Sequence, residues 1–123
     1  MPDLSGLKAL VVEDEGAVAL LIEDMLRELG CEIAASAADL GKASELASTA
    51  PLDFALLDLN LDGQSALPVA RILRARRIPF VFSTGYGAGW PTGEFMAYPT
   101  LAKPFVLADL QEKISLALAM RGE

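Results

Sequence analysis

The chain contains no histidine. That excludes Ser-His-Asp and Cys-His nucleophilic catalysis, and any imidazole-based metal site. A metal here must be held by oxygen, which favours magnesium, manganese or calcium. There is one cysteine, Cys31. It cannot close an internal disulfide, which fits a reducing compartment. It opens an apolar stretch, so a small buried hydrophobe is expected rather than a reactive thiol. No apolar run approaches the roughly 20 residues that span a bilayer. The opening MPDLSGLK carries an acid and no long apolar run, so a secretory signal is not expected. A cytoplasmic location without membrane contact is the resulting expectation. Positive charge is scarce: 10 Lys and Arg stand against 17 Asp and Glu, for a net charge of −7. Phosphate backbones are bound by clustered cations, so no nucleic-acid partner is expected. The one basic cluster, Arg71, Arg74, Arg76 and Arg77, reads as the solvated end of a helix.

What is present is 123 residues, 53 % apolar and 22 % charged, the size and composition of one globular domain. Residues 1–7 read as a polar lead-in. Ala9 to Val12 is a continuous apolar run that closes in Glu13, Asp14 and Glu15. Such runs suit strands buried on both faces of a parallel sheet. Phe54 to Leu57, ending in Asp58, and Ile78 to Ser83, ending in Thr84, are two more. Cys31 to Ala35 alternates and reads as a strand nearer an edge; Thr100 to Ala102 reads as a short fifth strand. Between them, Gly16 to Gly30, the stretch capped by Asp39, Gln64 to Arg77 and Val106 to Arg121 carry apolar residues at helical spacing. Pro68 fits the third helix only within its first turn. Residues 87–99 break the pattern: Gly87, Gly89, Pro91, Gly93 and Pro99 predict a loop with at most one helical turn.

Five strands alternating with four clear helices predict a doubly wound α/β fold. With the continuous runs at the centre, the expected architecture is flavodoxin-like: five parallel strands in the order 2-1-3-4-5, with a short or absent fourth helix. No repeat, linker or second domain is visible, so 1–123 is expected to form one domain. In such sheets ligands bind outside the carboxyl ends of the strands. The order makes the strands ending in Glu13-Asp14 and in Asp58 neighbours. Carboxylates brought so close raise each other's pKa or demand a counter-ion, and a hard divalent cation meets that demand. Thr84 adds a hydroxyl and Lys103 a mobile positive charge at the same rim. A carboxylate nucleophile, a metal, a hydroxyl and an ammonium are the parts of an acyl-phosphate site. Taken singly, each residue has a plainer reading as a turn former, surface charge or strand end; the conjunction carries the argument.

At this point the chain resembles the receiver domain of two-component response regulators over nearly its whole length. The resemblance rests on VVEDE at 11–15, the strand ending in Asp58, the strand ending in Thr84, and KPF at 103–105. DLNLDG and PFVFSTGYG are also similar to the FATGUY subgroup, whose members are often single-domain proteins with a reduced fourth helix. The resemblance implies that Asp58 accepts a phosphoryl group from a phosphohistidine on a sensor histidine kinase or phosphotransfer protein. With no histidine in this chain, that group belongs to the partner. It implies magnesium, with manganese possible, bound by Asp14, Asp58 and the Asn60 carbonyl, with Glu13 acting through water. It implies that Thr84 and Lys103 contact the phosphoryl oxygens, and that Lys103-Pro104 is cis. The output would be a contact with an unknown downstream protein, or a phosphate sink in a relay. Self-catalysed hydrolysis would be slow, so an enzyme in the usual sense is not expected.

The chain departs from the family at several points. Thr100 stands where an aromatic switch residue is common, and Tyr86, Tyr98 or Phe95 are the candidates to substitute. The loop after Asp58 lacks its common Met-Pro, and Gly85 follows Thr84. Asn60 and Tyr86 occupy positions that tune acyl-phosphate lifetime. Trp90, Phe95 and Met96 could meet a partner or plug the sheet. These departures admit a second reading, a phosphorylation-independent pseudo-receiver that works as a protein-interaction module. A small phosphohydrolase would need a general-acid Asp two residues after its nucleophile; Asp62 is four residues on.

Overall fold

The computed structural model describes residues 3–85 and 89–120. The elements run β1 (Lys8–Val12), α1 (Gly16–Glu28), β2 (Glu32–Ala37), α2 (Leu40–Thr49), β3 (Phe54–Asp58), β4 (Asn60–Leu61), β5 (Gln64–Ser65), α3 (Leu67–Ala75), β6 (Phe80–Thr84), a 3-10 turn (Gly93–Phe95), β7 (Thr100–Ala102) and α4 (Leu107–Met120). The main sheet is parallel with strand order β2-β1-β3-β6-β7. With β4 and β5 set aside as a separate hairpin, that is the predicted flavodoxin-like order. Between β6 and β7 the described residues hold only the 3-10 turn, so the fourth helix is reduced as expected.

Continuous apolar runs become central strands because both faces of this sheet are covered. All five residues of β3 and all five of β6 are buried. Side chains alternate across the strand. Ala55 and Leu57 of β3 therefore enter one apolar cluster, with Phe80 and Phe82, while Phe54 and Leu56 enter another, with Val81 and Ile114. Cys31 is buried against the Leu4 carbonyl, and burial pushes its thiol pKa up, as befits a packing residue.

Four local expectations need correction. The lead-in is not merely polar: Leu4 is buried in the core. The third helix starts at Leu67, not at residue 64, because Gln64 and Ser65 pair back onto Asn60 and Leu61. Pro68 accordingly falls in its first turn. The basic cluster is not simply solvated: Arg71 and Arg74 both pair with Glu94, and Arg76 donates to the Ala47 carbonyl. Of the three apolar residues placed on the 87–99 loop, Phe95 is fully buried, whereas Trp90 and Met96 are exposed. Tyr86 and Arg121 lie outside the described residues.

Candidate acid cleft at the strand ends

The sheet reverses its winding between β1 and β3, the point where such folds open a crevice. Glu13 and Asp14 follow β1 there, and Asp58 closes β3. Asp58 pairs across the sheet with Ser83 of β6, and the Leu59 N–H donates to the Ser83 carbonyl at 2.9 Å. The Lys103 N–H donates to the Thr84 carbonyl at 2.8 Å, which brings the residue after β7 to the same rim. Asp14, Glu15, Asp58, Asn60, Asp62, Gly63, Gly85 and Lys103 line a cleft of about 340 Å³.

Lys103 ties the acids together. Its ammonium donates to Glu13 Oε1 at 2.7 Å and to Asp58 Oδ2 at 3.0 Å. Glu13 and Asp58 are only 2 % and 4 % exposed, so these are charges taken largely out of water. Backbone donors meet one further oxygen of each acid. The Glu15 N–H reaches Glu13 Oε2, the Asn60 N–H reaches Asp58 Oδ1, and the Asp62 N–H reaches Asp14 Oδ2 at 3.0 Å.

Burial pushes the Glu13 carboxyl pKa up, against the pull of its hydrogen bonds. Burial also pulls Lys103 down, but the Glu13 and Asp58 carboxylates together outweigh it and hold the ammonium above its usual range. Both partners of one ion pair therefore shift the same way. Two carboxylates share one ammonium, which favours the charged lysine, while burial disfavours the charged form of the glutamate.

One oxygen each from Glu13, Asp14 and Asp58 lies within 4.8 Å of the others. The donor set is all oxygen with surplus negative charge, and it fits a hard divalent cation. Asn60 lines the cleft, its side-chain Oδ1 accepting from the Gly63 N–H at 2.7 Å. Thr84 is buried at the rim, one residue past the partner of Asp58. Its hydroxyl donates to the Gly89 carbonyl at 2.6 Å. Thr100, at the common aromatic position, is buried, and its hydroxyl donates to the Tyr98 carbonyl. Phe80, Phe82, Phe95 and Tyr98 pack ring against ring, with Tyr98 stacked on Phe80 at 4.7 Å.

The backbone donors of Glu15 and Asp62 are the functional groups that the sequence reading missed. Asp62-Gly63 is a hairpin-turn dipeptide and was the available signal.

Two buried carboxylates bridged by the lysine of a Lys-Pro pair, with a third, half-buried, beside them at the mouth of a 2-1-3-4-5 sheet, define a class. The chain belongs to the response regulator receiver domain family, whose model matches residues 9–115. Among individual relatives it is 32 % identical over 119 residues to the transcriptional regulatory protein PdtaR of Mycobacterium tuberculosis. That match covers 91 % of this chain but 57 % of PdtaR, so the chain spans little more than half the length of that curated relative. It is similar to SdrG from Sphingomonas melonis Fr1, with 34 % identity, complete coverage of both chains and a TM-score of 0.79. It is also similar to the receiver domain of the sensor histidine kinase PA1611 from Pseudomonas aeruginosa PAO1, at 29 % identity and a TM-score of 0.75. That match covers 94 % of this chain and 99 % of the other, whose structure has a magnesium ion coordinated in the active site cleft.

Proposed function

We propose that this chain is a phosphorylation-dependent signalling switch whose phosphoacceptor is Asp58. One observation carries the reading: a buried aspartate lies 3.0 Å from the Lys103 ammonium and within 4.8 Å of two further carboxylates. An Asp58 oxygen attacks the phosphorus of a phosphohistidine on a sensor kinase or phosphotransfer protein. The new P–O bond forms as the P–N bond breaks, and the imidazole leaves with the electron pair. Lys103 neutralises Asp58 beforehand and afterwards pairs with a phosphoryl oxygen. Asp14, Asp58 and the backbone carbonyl of Asn60, with Glu13 acting through water, would hold magnesium or manganese. The metal, when bound, cancels repulsion between the acids and the incoming phosphoryl group. The magnesium in the cleft of the PA1611 relative supports that choice of ion.

The acyl phosphate adds nearly two negative charges to the rim. Thr84 then turns its hydroxyl from Gly89 toward a phosphoryl oxygen, and the equilibrium shifts between two packings of the following loop. Hydrolysis is slow and self-catalysed, so the chain acts as a cytoplasmic switch or phosphate sink rather than as an enzyme. Its downstream partner is a protein.

The test is incubation with acetyl phosphate and Mg²⁺, followed promptly by intact-mass measurement. One added phosphate is expected in the wild type and none in Asp58→Asn. The engagement of Thr84 by Gly89 favours the rival reading, a pseudo-receiver that signals by fixed contacts. No phosphate gain from acetyl phosphate or from a cognate kinase, with Mg²⁺ still bound, would decide for that rival.

A further inference from the structure

The hairpin that follows Asp58 reaches the acids with backbone N–H groups. β4 and β5 pair antiparallel, Leu61 opposite Gln64, and are joined by the two residues Asp62 and Gly63. Both have positive φ, 50° at Asp62 and 86° at Gly63. That is the type I′ geometry, which turns the chain tightly enough to close a two-residue loop. The turn aims the Asp62 N–H at Asp14 Oδ2, 3.0 Å away and 48 residues earlier in the chain. The next N–H, of Gly63, goes to Asn60 Oδ1. Asp14 is only partly buried. Among the described residues it has no lysine or arginine partner, unlike Glu13 and Asp58, which share Lys103. Among the described residues the hairpin amide is the one hydrogen-bond donor to its carboxylate.

We propose that the Asp62-Gly63 turn is a positioning device for Asp14. Its backbone N–H, not the Asp62 carboxylate, orients Asp14 so that its other oxygen faces Glu13 and Asp58. This rests on the reading of those three acids as a divalent-metal centre. Groups that orient a metal ligand from behind change affinity by about 10- to 100-fold when they are lost. The short hairpin, standing where the family commonly has a Met-Pro loop, thereby becomes part of the cation site.

The backbone conformation supplies the test. A Cβ on Gly63 would meet nothing within 4 Å, so a substitution there challenges the dihedral angles and not the packing. Asparagine tolerates positive φ, and a β-branched residue does not. Mg²⁺ affinity is measured by calorimetric titration of the unphosphorylated chain, alongside the thermal midpoint of each variant. Gly63→Val is expected to weaken Mg²⁺ binding about tenfold; Gly63→Asn, which keeps the turn, and Asp62→Asn, which keeps the amide, are expected to lose clearly less. The Asp62 amide resonance is expected to move in Asp14→Asn. The proposal is overturned if Gly63→Val lowers the thermal midpoint yet binds Mg²⁺ like wild type. It is equally overturned if Asp62→Asn loses as much affinity as Gly63→Val, since the carboxylate would then be the ligand. A wild-type chain that takes up no Mg²⁺ removes this proposal and the metal reading together. A wild type that binds Mg²⁺ without becoming phosphorylated removes only the phosphotransfer reading.

Discussion

Two connections leave the rim of the sheet beside Asp58, and they meet the acids differently. The hairpin after β3 has Leu61 buried in the core, and beside it the polar turn is fixed to the acids by N–H groups. The described part of the loop after β6 is anchored by burial: Phe95 is wholly enclosed among Phe80, Phe82 and Tyr98. Arg74 lies 4.8 Å over the Phe95 ring, and Arg71 and Arg74 clamp the neighbouring Glu94. Among the described residues, the Thr84 hydroxyl on the Gly89 carbonyl ties this loop to the rim. The hairpin is thus built to hold charge in place. The loop is fastened at its far end and tethered near the site by a group that a phosphoryl oxygen could claim.

Substitutions can break this contrast. The largest effect is expected from Phe95→Ala, which empties the aromatic cluster. A loss of about 3–5 kcal/mol in urea unfolding is expected, with Mg²⁺ affinity unchanged wherever the variant remains folded. Reduced Mg²⁺ affinity would mean that the loop, too, supports the acids. Thr84→Val comes next. Losing one hydrogen bond costs about 1 kcal/mol. The emission of Trp90, the only tryptophan, should shift without any phosphate present, because the indole follows Gly89 directly. An unshifted spectrum would show that the tether does not set the loop's position.

Glu94→Gln sharpens the comparison with the smallest effect. The Arg74 hydrogen bond, aided by the charges of Arg74 and Arg71, lowers the Glu94 pKa from its ordinary 4.5 against an opposing push from desolvation. A depressed folded value means that the ion pairs stabilise the fold fully above about pH 4.5. The contribution fades as pH falls through the lower folded value. The difference in urea midpoint between wild type and Glu94→Gln should therefore be present at pH 7 and vanish in acid. A pH-independent difference would assign the effect to packing. High salt should shrink it as well, since the pairs are exposed.

Much of this was readable in the sequence, for identifiable reasons. Strands buried on both faces write themselves as unbroken apolar runs, which is why β1, β3 and β6 and their polar ends were legible. The acid triad followed once the strand order placed β1 beside β3. The hairpin was missed because two-residue strands have no periodicity to detect, although Asp62-Gly63 marked the turn. Leu4 and the Glu94 clamp were missed for a different reason. Each depends on a contact between segments distant in the chain, and neither segment has a pattern of its own that announces the other. The splitting of the loop into a buried Phe95 and exposed Trp90 and Met96 is likewise a tertiary outcome, since composition treats the three alike.

The sheet also acts as a partition. Neighbouring residues of β3 and β6 point into two separate apolar clusters, so the molecule has two dry compartments divided by one layer of backbone. A substitution on one face of β3 or β6 therefore disturbs the packing of one compartment and reaches the other only through the backbone between them.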